Sequence, residues 1–206
     1  DLAAEAKDLA DTIRAGALPF RLVARQVRAI SPMLGKGALN VTINAFKVAF
    51  VLICLFMIIY YRLPGLIASI SLFSLVMFTL LAISWLGITL TIPGLAGIIL
   101  SAGMGVDANV IIYERIKEEL RSGKTLRAAV DLGFKRAFAA IVDGNITTLI
   151  TAIILYIFGT GTIVSFAYTL FIGVVLSFLT AVTLTRIMMK SVISYDIAKK
   201  PWLYGI

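Results

Sequence analysis

The sequence predicts an all-α fold, a polytopic bundle of membrane-spanning helices, on three observations. Apolar residues make up 60% of the 206 positions and charged residues only 15%, with a mean hydropathy of +1.01, whereas soluble domains are about half apolar and a quarter charged. The apolar residues are gathered into runs long enough to cross a hydrocarbon layer of ~30 Å. Lipid offers backbone groups no hydrogen-bond partner outside the segment, so such runs pair their own amides as helices.

Residues 1–39 mix acids and bases (Asp8, Asp11, Arg14, Arg21, Arg25, Arg28) and are too few to build a core of their own. They read as the end of a larger extracytoplasmic domain. Residues 40–200 form the membrane domain, whose first span is expected at 41–61. Arg62 and Pro64-Gly65 make a tight turn into a second span at 64–86. Thr91-Ile92-Pro93-Gly94 opens the third, 91–113, with proline near a helix start where a missing amide is tolerated. Glu114 to Glu119 then announces water. The 124–136 stretch carries Leu126, Ala129, Val130 and Phe134 between charges, the pattern of a separate amphipathic helix in the interface. A fourth span covers 138–158, and Gly159-Thr160-Gly161 turns into a fifth at 163–189. Residues 201–206 are read as a tail.

The net charge of +8 raises nucleic acid as a ligand, yet the basic residues flank apolar runs instead of forming a stripe with interleaved aromatics, which excludes that class. Cys54 is the single cysteine and histidine is absent. Within this chain that removes disulfides, zinc sites and imidazole relays, so any ionisable chemistry must use carboxylates, Lys, Arg or Tyr; no metal, cofactor or catalytic centre is among the expectations.

Five spans place the two ends on opposite faces. The loop after the third span carries seven basic residues (Arg115, Lys117, Arg121, Lys124, Arg127, Lys135, Arg136), the C-terminal end four (Arg186, Lys190, Lys199, Lys200), and the first turn Arg62. The other two connections carry none, so by the positive-inside rule they face outward and the C-terminus faces the cytoplasm. Seven basic residues in the N-terminal region fall on the outer side, which the rule tolerates only for a large translocated domain.

Two carboxylates fall inside spans, Asp107 in the third and Asp143 near the start of the fourth. An acid at membrane depth costs a few kcal/mol and is usually retained for ion or proton handling. Asp107 lies ~10 Å inside the boundary marked by Glu114, at 1.5 Å per residue. Asp143 lies as far past Arg136, and Asp143-Gly144-Asn145 also fits a helix N-cap. Gly97, Ser101, Gly105 and Ala108 line one face of the third span, with Gly103 and Asp107 off it. Small faces let helices pack closely, and this one is expected to serve packing, including pairing with a similar bundle. Gly103-Met104-Gly105-Val106-Asp107 has one residue too many for the Gly-x-Gly-Asp of intramembrane aspartyl proteases. No Tyr-Asp pair lies in a span to complete such a site.

Leu90-Thr91-Ile92-Pro93-Gly94-Leu95-Ala96-Gly97, Gly105-Val106-Asp107-Ala108-Asn109-Val110 and Glu114-Arg115-Ile116-Lys117-Glu118-Glu119 closely resemble the SecD family of protein-export membrane proteins. Asp143-Gly144-Asn145-Ile146-Thr147-Thr148, Gly159-Thr160-Gly161 and Phe166-Ala167-Tyr168-Thr169-Leu170 follow in the family's order. The resemblance implies half of a resistance-nodulation-division bundle in the bacterial cytoplasmic membrane. It also implies a SecF partner, the SecYEG channel, YajC as a further neighbour and an exported unfolded polypeptide as cargo. It places proton coupling at Asp107, with Asp143, Asn109, Asn145, Thr147 and Thr148 as the other polar residues of those motifs. A small-molecule exporter of the same superfamily, or a structural subunit, are the alternative readings.

Overall fold

The structure is a computed structural model that describes residues 6–7, 10–11, 32–194 and 201–204. Most of the expected outer-domain remnant, 1–39, lies outside the described residues. The chain divides into two compact units, 1–35 and 36–206, and the second holds the helical bundle. Helix α1 is Pro32–Tyr61, α2 Leu63–Trp85, α3 Ile92–Arg121, α4 Leu126–Phe158, α5 Thr162–Ser177 and α6 Thr185–Ile193. A π-helical stretch, Phe178–Leu184, joins α5 to α6 without a break, so these three elements build one final span. Among the described residues five helical segments are long and apolar enough to cross a membrane: 37–61, 63–85, 92–121, 126–158 and 162–193.

The turns follow the local sequence. Between α1 and α2 a single residue, Arg62, adopts a left-handed φ of 55°, and its amide still bonds Ile58 O at 2.9 Å. Pro64 sits in the first turn of α2. Gly65 packs directly on the carbonyl of Met57, where any side chain would overlap backbone, so the close α1–α2 corner depends on it. Gly123 (φ 83°) and Gly161 (φ 59°) supply the left-handed positions that end α3 and open α5.

Helix α3 is the most enclosed of the five. Its buried positions recur at Gly94, Gly97, Ser101, Gly105, Ala108, Ile112 and Ile116, a helical stripe, flanked by α2, α4 and α5. Bulky side chains from several helices (Met57, Ile67, Ile112, Tyr113, Ile116, Phe134, Met189) fill the core near the charged end. The outer faces are broadly apolar, with Leu52, Phe56, Ile59, Phe73, Leu81, Ile150, Ile157 and Phe158 all exposed. A patch of that extent is a lipid- or partner-facing surface.

Three expectations change. The separate amphipathic helix at 124–136 is instead the first part of a continuous α4. Its apolar residues Ala129, Val130, Phe134 and Ala137 are buried in the protein core, with Gly133 against the backbone of Ile116, so they meet α3 where interfacial lipid was expected. Asp143 is consequently mid-helix and cannot be an N-cap. The tail at 201–206 folds over 201–204 into a 3-10 turn. There Tyr204 is buried, Arg62 Nη1 donates to Trp202 O, and the Arg62 guanidinium lies 4.0 Å above the Trp202 ring. That cation–π contact helps hold Arg62 in its strained backbone conformation.

Candidate functional site

The acid-bearing face of α3 follows from how α3 starts and what its small residues pack against. Thr91 caps the helix by accepting from Gly94 N at 3.2 Å, which satisfies one of its free first-turn amides. A Cβ at Gly97 would collide with Thr169 Oγ1 and with the Phe166 carbonyl of α5. Ser101 lies against Gly173 of α5, and Gly105 against Leu75 of α2. The small face therefore packs inside this chain. It is not available for pairing with a second bundle, which corrects that part of the expectation.

With that face buried, Asp107 is turned outward and exposed. One turn before it, Gly103 has nothing within 4 Å of where a Cβ would stand. The two share a stripe at i, i+4, so the acid stands on an exposed face of α3 with open space beside Gly103.

Helix α4 supplies the second polar stripe. Thr148 Oγ1 stands 3.5 Å from Met104 Sδ, and Arg136 pairs with Glu119. These two contacts set an antiparallel register that brings Asp107 level with residues 145–148 of α4, about a turn from Asp143. Asp143, Gly144 and Thr147 are exposed, and Gly144, like Gly103, has open space beside it. Thr147 donates to Asp143 O at 2.9 Å and Thr148 to Gly144 O at 3.0 Å. Both hydroxyls are thus bonded back to their own helix, the usual arrangement for threonine in a span.

Asn109 and Asn145 are buried. Asn109 Nδ2 donates to Gly105 O at 3.1 Å, while its Oδ1 is buried with no partner among the described residues. A buried acceptor without a donor costs ~1–3 kcal/mol, so this amide marks a place where a water or a proton-bearing group would be stabilised. The site residues form an exposed pair of stripes with two asparagines behind them. No hydrogen bond among the described residues joins either aspartate side chain to another group in the arrangement seen.

Two charged residues at the basic end were not singled out from sequence. Lys117 is buried, its Nζ 4.4 Å and 4.6 Å from the ring centres of Tyr60 and Tyr61 and 3.5 Å from Glu114. Glu119 is only 2% exposed and is held by both Lys124 and Arg136. The Lys117–Glu114 spacing of three is visible in sequence. The burial of Glu119 is not, because it arises when the four-residue turn folds α4 back onto α3.

Comparison with known proteins agrees with this architecture. The profile of the family described as protein export membrane protein SecD/SecF, C-terminal, matches residues 14–194. The protein translocase subunit SecD of Acidaminococcus fermentans is 47% identical over 203 residues, 98% of this chain and 49% of that protein. The protein translocase subunit SecDF of Bacillus subtilis is 47% identical over 206 residues, 99% of this chain and 28% of that protein. The crystal structure of SecDF from Thermus thermophilus, a translocon-associated membrane protein, superposes with a TM-score of 0.81 at 40% identity, covering 92% of this chain and 27% of that one. The chain thus spans half or less of the length of these relatives.

Proposed function

Because the chain belongs to the SecD/SecF C-terminal family and is a multi-pass membrane protein, we propose that it is the membrane half of a proton-driven accessory subunit of the Sec translocase. In this reading it carries no catalytic centre and moves exported unfolded chains by conformational change. It works in the bacterial cytoplasmic membrane beside SecF and the SecYEG channel, with YajC as a further neighbour. The N-terminal side faces outward and the seven-cation loop faces the cytoplasm, following the distribution of Lys and Arg.

The observation that carries the proposal is the exposure of Asp107, beside the open space at Gly103, within a helix long and apolar enough to span a membrane. A half-bundle cannot leave a carboxylate against lipid without cost. A second bundle of the same type, supplied by SecF, would cover this face and complete the site with its own polar or cationic group. The charged acid then favours a wet or cation-paired arrangement and the protonated acid a drier one. Proton movement down a gradient supplies ~2.3 kcal/mol per charge per 100 mV, enough to shift two conformers that differ by a few kcal/mol. In this reading Asp143, about a turn along α4 from the level of Asp107, and Asn109, Asn145, Thr147 and Thr148 supply further polar groups for a proton path.

The test is export into inverted membrane vesicles with and without the full-length protein. The increment due to the protein is expected to vanish when a protonophore collapses the gradient while ATP is kept constant. An increment that survives the protonophore would remove proton coupling from the account.

A further inference from the structure

Beside the proton site, the basic end of the bundle carries an open groove between α4 and the final span, with a volume of about 640 Å³. Its walls include Phe134, Phe138, Val182 and Ile187, and its rim Lys135 and Arg186. Phe138 and Ile187 are half-exposed or more, so the groove is apolar and open toward the spanning region, and basic at the end facing the charged loop.

The charges at that rim do not cancel. Asp131 is the one acid lining the groove, and its Oδ1 is 2.6 Å from Lys190 Nζ but 3.7 Å from Arg186 Nη2. Lys190 therefore takes most of that carboxylate. Lys135 is exposed and has no ion-pair partner among the described residues, and Arg186 keeps most of its charge. With Lys190 from beyond the groove paired to Asp131, the two rim cations Lys135 and Arg186 leave room for an anionic ligand of one or two charges.

We propose that this groove is a binding site for an anionic phospholipid of the cytoplasmic leaflet, with its phosphate between Lys135 and Arg186 and an acyl chain along Phe138, Val182 and Ile187. A free phosphate would use the rim and leave the apolar walls bare. A partner helix would fill the walls but would also have to place an acid against the rim, whereas a phospholipid carries phosphate and acyl chain in one molecule and holds its phosphate at the membrane boundary, level with the charged loop. Basic pockets between spanning helices on the cytoplasmic side suit such headgroups.

The experiment uses full-length protein purified with its partner and reconstituted into phosphatidylcholine nanodiscs with a minor fraction of phosphatidylglycerol. Phospholipid retained after detergent exchange is counted by mass spectrometry. K135Q/R186Q is expected to weaken phosphatidylglycerol retention on the order of 30-fold, two cations' worth, with phosphatidylcholine unchanged. K135R/R186K, which keeps the charge, should stay within a few-fold of wild type, and R115Q/R121Q, which removes equal charge elsewhere in the loop, should bind as wild type. Equal retention by wild type and K135Q/R186Q would overturn the proposal. So would displacement of the lipid from the wild-type protein by an equal concentration of inorganic phosphate or glycerophosphoglycerol, since the acyl contacts would then contribute nothing. The phosphate competition needs no variant to fold.

Discussion

Replacing Gly173 by alanine places a methyl group where Ser101 Oγ and Cβ already stand, well inside van der Waals contact. The Ser101 Cβ cannot rotate away, because it is fixed by the α3 backbone, so α3 and α5 must separate. Overpacking of this kind costs ~1–3 kcal/mol. Ser101→Gly on its own loses the hydroxyl bond to Ile98 O at 2.9 Å and places glycine in a helix interior, together about 1 kcal/mol. In the double variant the new methyl enters the space that the serine vacates. The pair should then be destabilised by only ~1 kcal/mol, giving a coupling of about 1–3 kcal/mol between positions in contact. Reversible unfolding in mixed micelles measures all four corners of the cycle. Additive losses, with coupling below ~0.5 kcal/mol, would show that Ser101 and Gly173 do not meet and that the phase of α3, and with it the outward position of Asp107, is wrong.

Further outcomes follow from the same structure. In a Cys54→Ser background, cysteines at positions 123 and 161 should be labelled from opposite faces of the membrane, 123 from the cytoplasm, and labelling from one face would contradict the five-span arrangement. Removing either Arg136 or Lys124 leaves the buried Glu119 carboxylate with one cation, so each alanine variant should lower the unfolding midpoint, and the additional Glu119→Gln should recover part of it. An unchanged midpoint would mean that Glu119 is solvated. Trp202→Ala removes the ring over Arg62, and faster proteolysis at the α1–α2 turn is the expected result; identical cleavage would show that the C-terminal turn does not hold that corner.

The parts of the fold that were legible in sequence are those set by composition and local turn chemistry. Pro64-Gly65, Pro93-Gly94 and Gly159-Thr160-Gly161 mark helix ends within a few residues of where they occur. Asp107 stood out because it is an acid deep within an apolar run, and its phase relative to Gly97, Ser101 and Gly105 could be worked out from 100° per residue. What could not be read was tertiary. The apolar residues between 126 and 137 have the same spacing whether they face lipid or α3, so amphipathic pattern alone could not tell an interfacial helix from the start of a long α4. The partner of the small-residue face was equally open, since Gly97 and Ser101 would suit α5 of this chain or a second bundle. The π-helical stretch has no local signal. Its geometry is supported at a distance by Ser71, which donates to Thr180 O at 2.8 Å.

The most direct test of the central claim is gradient-stimulated export in vesicles carrying full-length protein with Asp107, Asp107→Asn or Asp107→Glu. Assembly with the partner bundle is checked by co-purification of each. The account expects the asparagine variant to assemble normally and to lose the stimulation, and the glutamate variant to keep part of it, because only the latter can bind and release a proton. An asparagine variant that supports gradient-stimulated export at the wild-type rate would make Asp107 a structural residue and end the proton-coupling account.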